Sequence, residues 1–103
     1  MNDELYHFDL YQDAAESTAV YPNKGDNLYY PALGLAGEAG EVCEKIKKIM
    51  RDQKGEITEE SARQVTKELG DVLWYVAMIA YEFDLSLALI AEINLNKLQD
   101  RMD

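Results

Sequence analysis

The sequence predicts an all-α fold, a four-helix bundle, on three observations. Breaks are sparse: Pro, Asn, Gly and Asp cluster at residues 21–27, and shorter breaks fall at residues 52–58 and 84–86. The segments between these breaks carry apolar residues at helical spacing. No stretch shows the sustained polar and apolar alternation that is typical of a strand. A chain of 103 residues is expected to form one domain, covering residues 1–103.

Four helices are predicted, over residues 3–20, 31–52, 59–83 and 87–100. In the first helix, the residues at helical spacing on the inward face are Leu5, Phe8, Gln12, Ala15 and Ala19. Pro31 suits the first turn of the second helix. Thr58 is the expected N-cap of the third helix, because a threonine hydroxyl can accept a hydrogen bond from a free backbone N–H there. Asp84 and Ser86 break the chain before the fourth helix.

The third helix has the strongest apolar signal of the four. Between Leu69 and Tyr81 it is apolar nearly all round, apart from Gly70 and Asp71. A helix of this kind is normally buried. We therefore expect it to be the central helix of the bundle.

The acidic composition limits the classes of partner. The formal net charge is −10, which argues against a nucleic-acid-binding protein, since such a protein needs a basic surface. A small anionic ligand remains compatible with this charge if metal ions supply positive charge. A domain of this size has a modest core, which favours a homo-oligomer.

The sequence also predicts a soluble, cytoplasmic protein. The first ten residues are acidic and polar, unlike a signal peptide. The longest apolar run, residues 72–81, is too short to span a bilayer, so no membrane association is expected. A single cysteine, Cys43, cannot form an internal disulfide, which suits a reducing compartment.

Two pairs of acidic residues carry the functional signal. Glu38 and Glu41 lie three residues apart on the second helix, and Glu68 and Asp71 have the same spacing on the third. Residues three apart share a helix face, and both pairs point at least partly inward. Buried carboxylates need protonation, a salt bridge or a metal ion. Ligands that offer only oxygen suit Mg²⁺ or Mn²⁺.

An ordinary structural explanation of these acids stays open. Acid pairs at this spacing often lie on solvated faces or pair with a lysine one turn away, as Glu41 could with Lys45. The glycines beside the first pair, Gly34, Gly37 and Gly40, leave room for a ligand or another backbone to approach. They are equally compatible with tight packing between helices.

Three stretches of the sequence resemble a known family. They are GLAGEAGEVCEKIKK at residues 34–48, KELGDVLWYVAMIA at 67–80 and NLNKLQDRM at 94–102. Together they resemble the MazG-like all-α nucleoside triphosphate pyrophosphohydrolases, whose pattern is E-x-x-E, then E-x-x-D, then N-x-x-K-[LF]-x-x-R. The resemblance implies Mg²⁺-dependent hydrolysis of a nucleoside triphosphate between its α and β phosphates. It also implies a homodimer or a dimer of dimers.

The resemblance assigns roles to individual residues. The implied metal ligands are Glu38, Glu41, Glu68 and Asp71, with Mg²⁺ as the expected ion and Mn²⁺ as a substitute. The implied substrate contacts are Asn94, Lys97, Arg101 and Lys48 to the phosphates and Tyr75 to the sugar. We assign Glu41 the catalytic role of orienting or deprotonating the attacking water.

Other residues narrow the chemistry. Tyr29 and Tyr30 are candidates for a base-binding pocket, whereas Trp74 is expected to pack in the core. The only histidine, His7, lies outside the acidic helices, which argues against a ferritin-like di-iron site and a Ser-His-Asp triad.

The expected function is the removal of non-canonical or surplus nucleotides from the cellular pool. Two alternatives remain at this point. The first is a related pyrophosphohydrolase that acts on dUTP, dUDP or phosphoribosyl-ATP. The second is an acidic helical partner protein without catalysis, which would bind no Mg²⁺ and tolerate Glu68→Gln.

Overall fold

A computed structural model describes residues 3–102, and their helices confirm the all-α prediction. A short 3-10 helix, Asp3–Leu5, precedes four α-helices: α1 (Tyr6–Ser17), α2 (Tyr29–Asp52), α3 (Glu59–Glu82) and α4 (Leu87–Met102). None of the residues from 3 to 102 is in a strand. The ends of α2, α3 and α4 fall within two residues of the predicted ends.

The first helix is shorter than predicted at both ends. Its C-terminus lies at Ser17 rather than near residue 20. The hydroxyls of Ser17 and Thr18 donate to the carbonyls of Ala14 and Ala15, at 2.6 Å and 2.7 Å. Such local side-chain bonds compete with a continuing helix, which explains the early end.

Contacts divide the chain into two compact units. Within the described residues, the first unit combines the chain up to Leu28 with the chain from Ala77 onward, and the second is Tyr29–Val76. The first unit therefore contains α1, the end of α3 and α4. The second contains α2 and most of α3.

A buried glutamine joins three parts of the first unit. Gln12 is only 8% exposed. Its Nε2 donates to the carbonyl oxygens of Ala77, at 3.3 Å, and Leu85, at 3.0 Å. Its Oε1 accepts from the backbone N–H of Leu87 at 3.0 Å. The prediction that Gln12 faces inward is confirmed, and both ends of its amide are hydrogen-bonded to backbone groups, as expected of a buried polar side chain.

The N-terminus of α4 is capped from within its own turn and from α1. Ser86 Oγ accepts from the N–H of Leu89 at 3.1 Å, as an N-cap serine does. The carboxylate of Asp9 accepts from the Ser86 hydroxyl at 2.8 Å and from the Ala88 N–H at 2.9 Å. A negative charge is favourable at this end of a helix. Helix α1 therefore fixes where α4 begins.

One carboxylate organises the loop between α1 and α2. Glu82, at the end of α3, accepts hydrogen bonds from the Tyr21 hydroxyl and from the N–H groups of Gly25 and Asn27, the latter two at 2.8 Å each. Burial alone would raise the pKa of Glu82, but the bonds from Asn27, Tyr21 and Gly25 outweigh it and lower that pKa. The φ of +95° at Gly25 suits glycine alone.

The second unit is an antiparallel helical hairpin. Gly55, with φ +79°, donates its N–H to the carbonyl of Ile49 and so ends α2. Thr58 Oγ1 then accepts from the N–H of Ser61 at 3.1 Å, while Ser61 Oγ accepts from the N–H of Thr58 at 2.9 Å. The prediction of Thr58 as N-cap is confirmed, and this reciprocal pair starts α3.

The expectation that α3 is buried along its apolar stretch is wrong for its first half. Ala77, Met78 and Ala80 are buried, but Leu69 is 52% and Leu73 39% exposed. The hairpin of the second unit covers only one side of each helix, so the outer apolar side chains stay in solvent. No helix in the described part of the chain is both long and apolar enough to cross a membrane.

Replacing Gln12 with alanine should destabilise the protein by about 2 kcal/mol, because the buried N–H of Leu87 loses the acceptor that Gln12 supplies and two carbonyls lose a donor. Urea unfolding followed by circular dichroism measures this loss. The control is Asp13→Ala, an exposed change on the same helix, which should shift the free energy of unfolding by less than about 0.5 kcal/mol. Equal effects of the two changes would contradict the role given to Gln12.

Candidate metal centre

Three of the predicted metal ligands lie together on one side of the hairpin. Glu38 comes from α2, and Glu68 and Asp71 come from α3. One carboxylate oxygen of each lies within 4.8 Å of the others. The antiparallel course of the two helices places the start of α2 beside the later turns of α3, which brings the three acids to the same level.

The cluster is partly enclosed and opens to solvent on one side. Glu38 and Glu68 are half-buried, whereas Asp71 is exposed. The Oε2 atom of Glu38 is buried and has no hydrogen-bond partner. An orphaned buried oxygen is costly, so this atom is well placed to receive a ligand.

The environment of Glu38 favours its protonated form. A hydrogen bond with the side chain of Glu68 raises the pKa of Glu38 most strongly, followed by burial. The charges of Asp71, Glu68 and Glu41 raise this pKa further. Carboxylates at such short separations cannot all ionise without cost.

These residues fit a hard divalent cation. Among residues 3–102, none of the three carboxylates forms a salt bridge with lysine or arginine. Buried carboxylates can be stabilised by a salt bridge, by protonation or by a metal ion. With no salt bridge here, a shared proton or a metal ion is left. A set of carboxylate oxygens suits Mg²⁺ or Mn²⁺ better than the softer transition metals.

Glu41 lies outside this group, although its spacing pairs it with Glu38. Its side chain is exposed on α2, and among the described residues the metal-competent cluster consists of Glu38, Glu68 and Asp71 alone. Glu41 is near enough for its charge to contribute to the raised pKa of Glu38. Its roles as metal ligand and as catalytic base stay predictions.

Tyr75 lies one helical turn beyond Asp71 on α3. Its side chain is half-buried. The pKa of its phenol is raised above the ordinary value, and burial is the largest cause. The charge of Tyr30 and a hydrogen bond with Tyr30 contribute less, and the charges of Glu38 and Asp71 contribute least. The phenol is therefore close to the acidic cluster and neutral near pH 7. Its contact with a sugar stays a prediction.

The predicted phosphate-binding residues are all exposed. Lys48 lines a cleft of about 190 Å³ near the connection between α2 and α3, together with Lys45, Ser61 and Gln64. In the first unit, Lys97 and Arg101 line a shallow groove on α4, and Asn94 lies on the same helix. Their roles toward a phosphate group stay predictions.

Cys43 and the glycines of α2 lie in different surroundings. A lone cysteine in a helix commonly serves as a small packing residue, but Cys43 is exposed. It lies on a side of α2 that no other helix of the hairpin covers. Of the three glycines near the acids, only Gly34 has a close neighbour, since a Cβ at Gly37 or Gly40 would meet nothing within 4 Å. Sequence reasoning treated the three alike and missed the special position of Gly34.

In the metal-free protein, Glu38→Gln should raise stability at pH 7. Because the folded state raises the pKa of Glu38, its stabilising contribution is present below the ordinary glutamate pKa of about 4.3 and is lost as pH rises through the folded-state value. The amide removes that loss, since it carries no charge. Thermal unfolding in EDTA between pH 4 and pH 8 measures the effect.

The matched control is Glu41→Gln, which removes the same charge one turn along the same helix. We expect a smaller gain there, because Glu41 is exposed and outside the cluster. A Glu38→Gln protein no more stable than the wild type at pH 7 would contradict this account of the cluster.

Comparison with known proteins agrees with this geometry. Residues 31–103 match the family described as "MazG nucleotide pyrophosphohydrolase domain". The chain is also 50% identical over 102 residues to the "Gene 37 protein" of Mycobacterium phage L5, covering 94% of this chain and 90% of that protein. No solved structure matches. The match spans α2, α3 and α4 with the acidic cluster, and the chain belongs to the MazG nucleotide pyrophosphohydrolase family.

Proposed function

We propose that this protein is a Mg²⁺-dependent pyrophosphohydrolase for nucleoside triphosphates. It hydrolyses the bond between the α and β phosphates and releases a nucleoside monophosphate and pyrophosphate. Its role would be to remove non-canonical or surplus nucleotides from the pool. Membership of the MazG family supports the reaction class.

The observation that carries the proposal is the orphaned oxygen of Glu38. That oxygen is buried without a hydrogen-bond partner, in a group with Glu68 and Asp71 whose oxygens lie within 4.8 Å. A structural role for these acids would pair them with lysine, arginine or a backbone donor. A cation-binding role explains both the lone oxygen and the exposed Asp71, which leaves the cluster accessible to a substrate.

The residues divide the chemistry among them. Glu38, Glu68 and Asp71 hold the cation, and Glu41 is assigned to the same set. The cation, when bound, offsets the charge of the triphosphate and makes water a better nucleophile near neutral pH. Glu41 is exposed beside the cluster, where a carboxylate can orient the attacking water and accept its proton.

Basic and polar side chains are assigned to the phosphate groups. A triphosphate brings several negative charges to a protein whose own net charge is −10. Lys48, Lys97 and Arg101 can offset part of that charge and stabilise the leaving pyrophosphate. Asn94 can donate its amide N–H to a phosphate oxygen.

We also propose that the chain associates with itself as a dimer or a dimer of dimers. From Ile93 onward, α4 carries four large apolar side chains that are exposed in the single chain: Ile93, Leu95, Leu98 and Met102. Leu69 and Leu73 of α3 are exposed in the same way. Apolar side chains in such number favour an interface.

Sedimentation equilibrium should therefore give a mass of at least twice that of one chain at micromolar concentration. Leu98→Glu, which places a charge among the exposed apolar residues of α4, should shift this equilibrium toward the single chain. A wild-type protein that sediments as one chain would contradict self-association.

The reaction is tested by pyrophosphate release from a panel of ribo- and deoxynucleoside triphosphates, in Mg²⁺ and in EDTA. The panel should include dUTP, dUDP and phosphoribosyl-ATP. Glu68→Gln should reduce the rate by at least about a hundredfold, since it removes one charged ligand of the cation and disturbs the rest. Circular dichroism should show that its helices are retained.

The matched control is Glu59→Gln, which removes the same charge from the exposed first turn of α3. Its rate should stay close to that of the wild type. Release that persists in EDTA, or a Glu68→Gln protein as active as the Glu59→Gln control, would reject the metal-dependent mechanism. Folded protein that binds no Mg²⁺ and hydrolyses nothing in the panel would favour the non-catalytic alternative.

A further inference from the structure

The ring of Tyr75 lies directly against the backbone of α2 at Gly34. A Cβ atom added at Gly34 would come within 2.1 Å, 2.3 Å and 2.6 Å of three ring carbons of Tyr75. Real Cβ atoms do not approach other atoms so closely, so any other residue at position 34 would force the ring to move. The glycine is therefore required by the present position of the Tyr75 ring.

Two other aromatic residues surround the same ring. Tyr30, at the start of α2, has its ring centroid 6.3 Å from that of Tyr75, and the two side chains are hydrogen-bonded. The ring of Trp74 stands edge-on to the ring of Tyr75, and the two ring centroids are 5.1 Å apart. The ring is thus held by the α2 backbone, by Tyr30 and by Trp74.

Its position matters because of what lies beside it. Asp71 lies one helical turn before Tyr75 on α3, and Gly34, which the ring contacts, lies one turn before Glu38 on α2. The ring is therefore next to the acidic cluster on both helices. A nucleotide whose phosphates are held at that cluster must extend its sugar and base past neighbouring side chains. Tyr75 is a neighbour that is both half-buried and fixed on several sides.

We propose that Gly34 is a positioning residue for the active site, because its lack of a side chain lets Tyr75 stand against α2 and face the nucleoside part of the substrate. Tyr30 completes this position through its hydroxyl. The inference rests on the proposed function, since it assumes a nucleotide bound at the cluster. Gly34 itself acts only through Tyr75.

The experiment is a double-mutant cycle on Gly34→Ala and Tyr75→Ala, measured with the best nucleotide of the panel. Gly34→Ala should lower kcat/KM by about tenfold to a hundredfold, mainly through a higher KM, because the displaced ring no longer fits the substrate. The double variant should be no worse than Tyr75→Ala alone, since removing the ring removes the clash. Mg²⁺ affinity, measured by calorimetry without nucleotide, should stay close to that of the wild type.

A spectroscopic readout follows the ring itself. Trp74 is the only tryptophan of the chain, so near-ultraviolet circular dichroism and tryptophan fluorescence report on its contact with Tyr75. Gly34→Ala should change both signals. The control is Gly40→Ala on the same helix, where a Cβ meets nothing within 4 Å, and which should leave the signals unchanged.

The outcomes separate this inference from the proposed function. Unchanged KM and tryptophan signals in Gly34→Ala, or additive effects in the double variant, would overturn it. If Gly34→Ala does not fold, Tyr30→Phe takes its place: a raised KM supports the inference and an unchanged KM overturns it. Wild-type protein that hydrolyses no nucleotide would remove the proposed function and the substrate half of the inference, while an altered tryptophan signal would still support the position of the ring.

Discussion

The second unit holds three carboxylates close together although their negative charges repel one another. The helix ends on either side of the α2–α3 connection keep the two helices in the register that makes this possible. Glu38, Glu68 and Asp71 have oxygens within 4.8 Å of one another, and without a cation one of them is driven toward its protonated form. The register that imposes this proximity is set at the far end of the hairpin. There Gly55 ends α2, and the reciprocal bonds of Thr58 and Ser61 begin α3.

The first unit is held by polar contacts of a different kind. Gln12, Asp9 and Glu82 each collect several donors or acceptors from distant parts of the chain. Few large side chains are fully buried in the described residues, and Met78 is the principal one from this unit. Because hydrogen bonds are directional, they fix the start of α4 more closely than apolar packing of this extent would.

Local sequence patterns predicted the helices and three members of the acidic cluster. The features that they missed depend on contacts between α2 and α3, which the sequence of one helix does not specify. Spacing of three residues correctly placed Glu68 and Asp71 on a common face. It paired Glu41 with Glu38 as well, yet Glu41 lies outside the group. Which member of a pair faces the other helix depends on how α2 and α3 are each rotated about their own axes. The same holds for Gly34, whose contact with Tyr75 involves a residue on another helix. The exposure of Leu69 and Cys43 depends on what covers each helix, which periodicity cannot specify.

The bonds of Gln12 have a consequence for the order of folding. They connect residues 65, 73 and 75 positions apart in the chain, whereas the hairpin closes through a connection of only a few residues between α2 and α3. Closing a long loop costs more entropy than closing a short one, and distant contacts form slowly. The hairpin, with its three acids, can therefore form early. During synthesis, α1 leaves the ribosome long before the backbone groups that Gln12 binds in the folded protein. The first unit can therefore fold only after α4 has been synthesised.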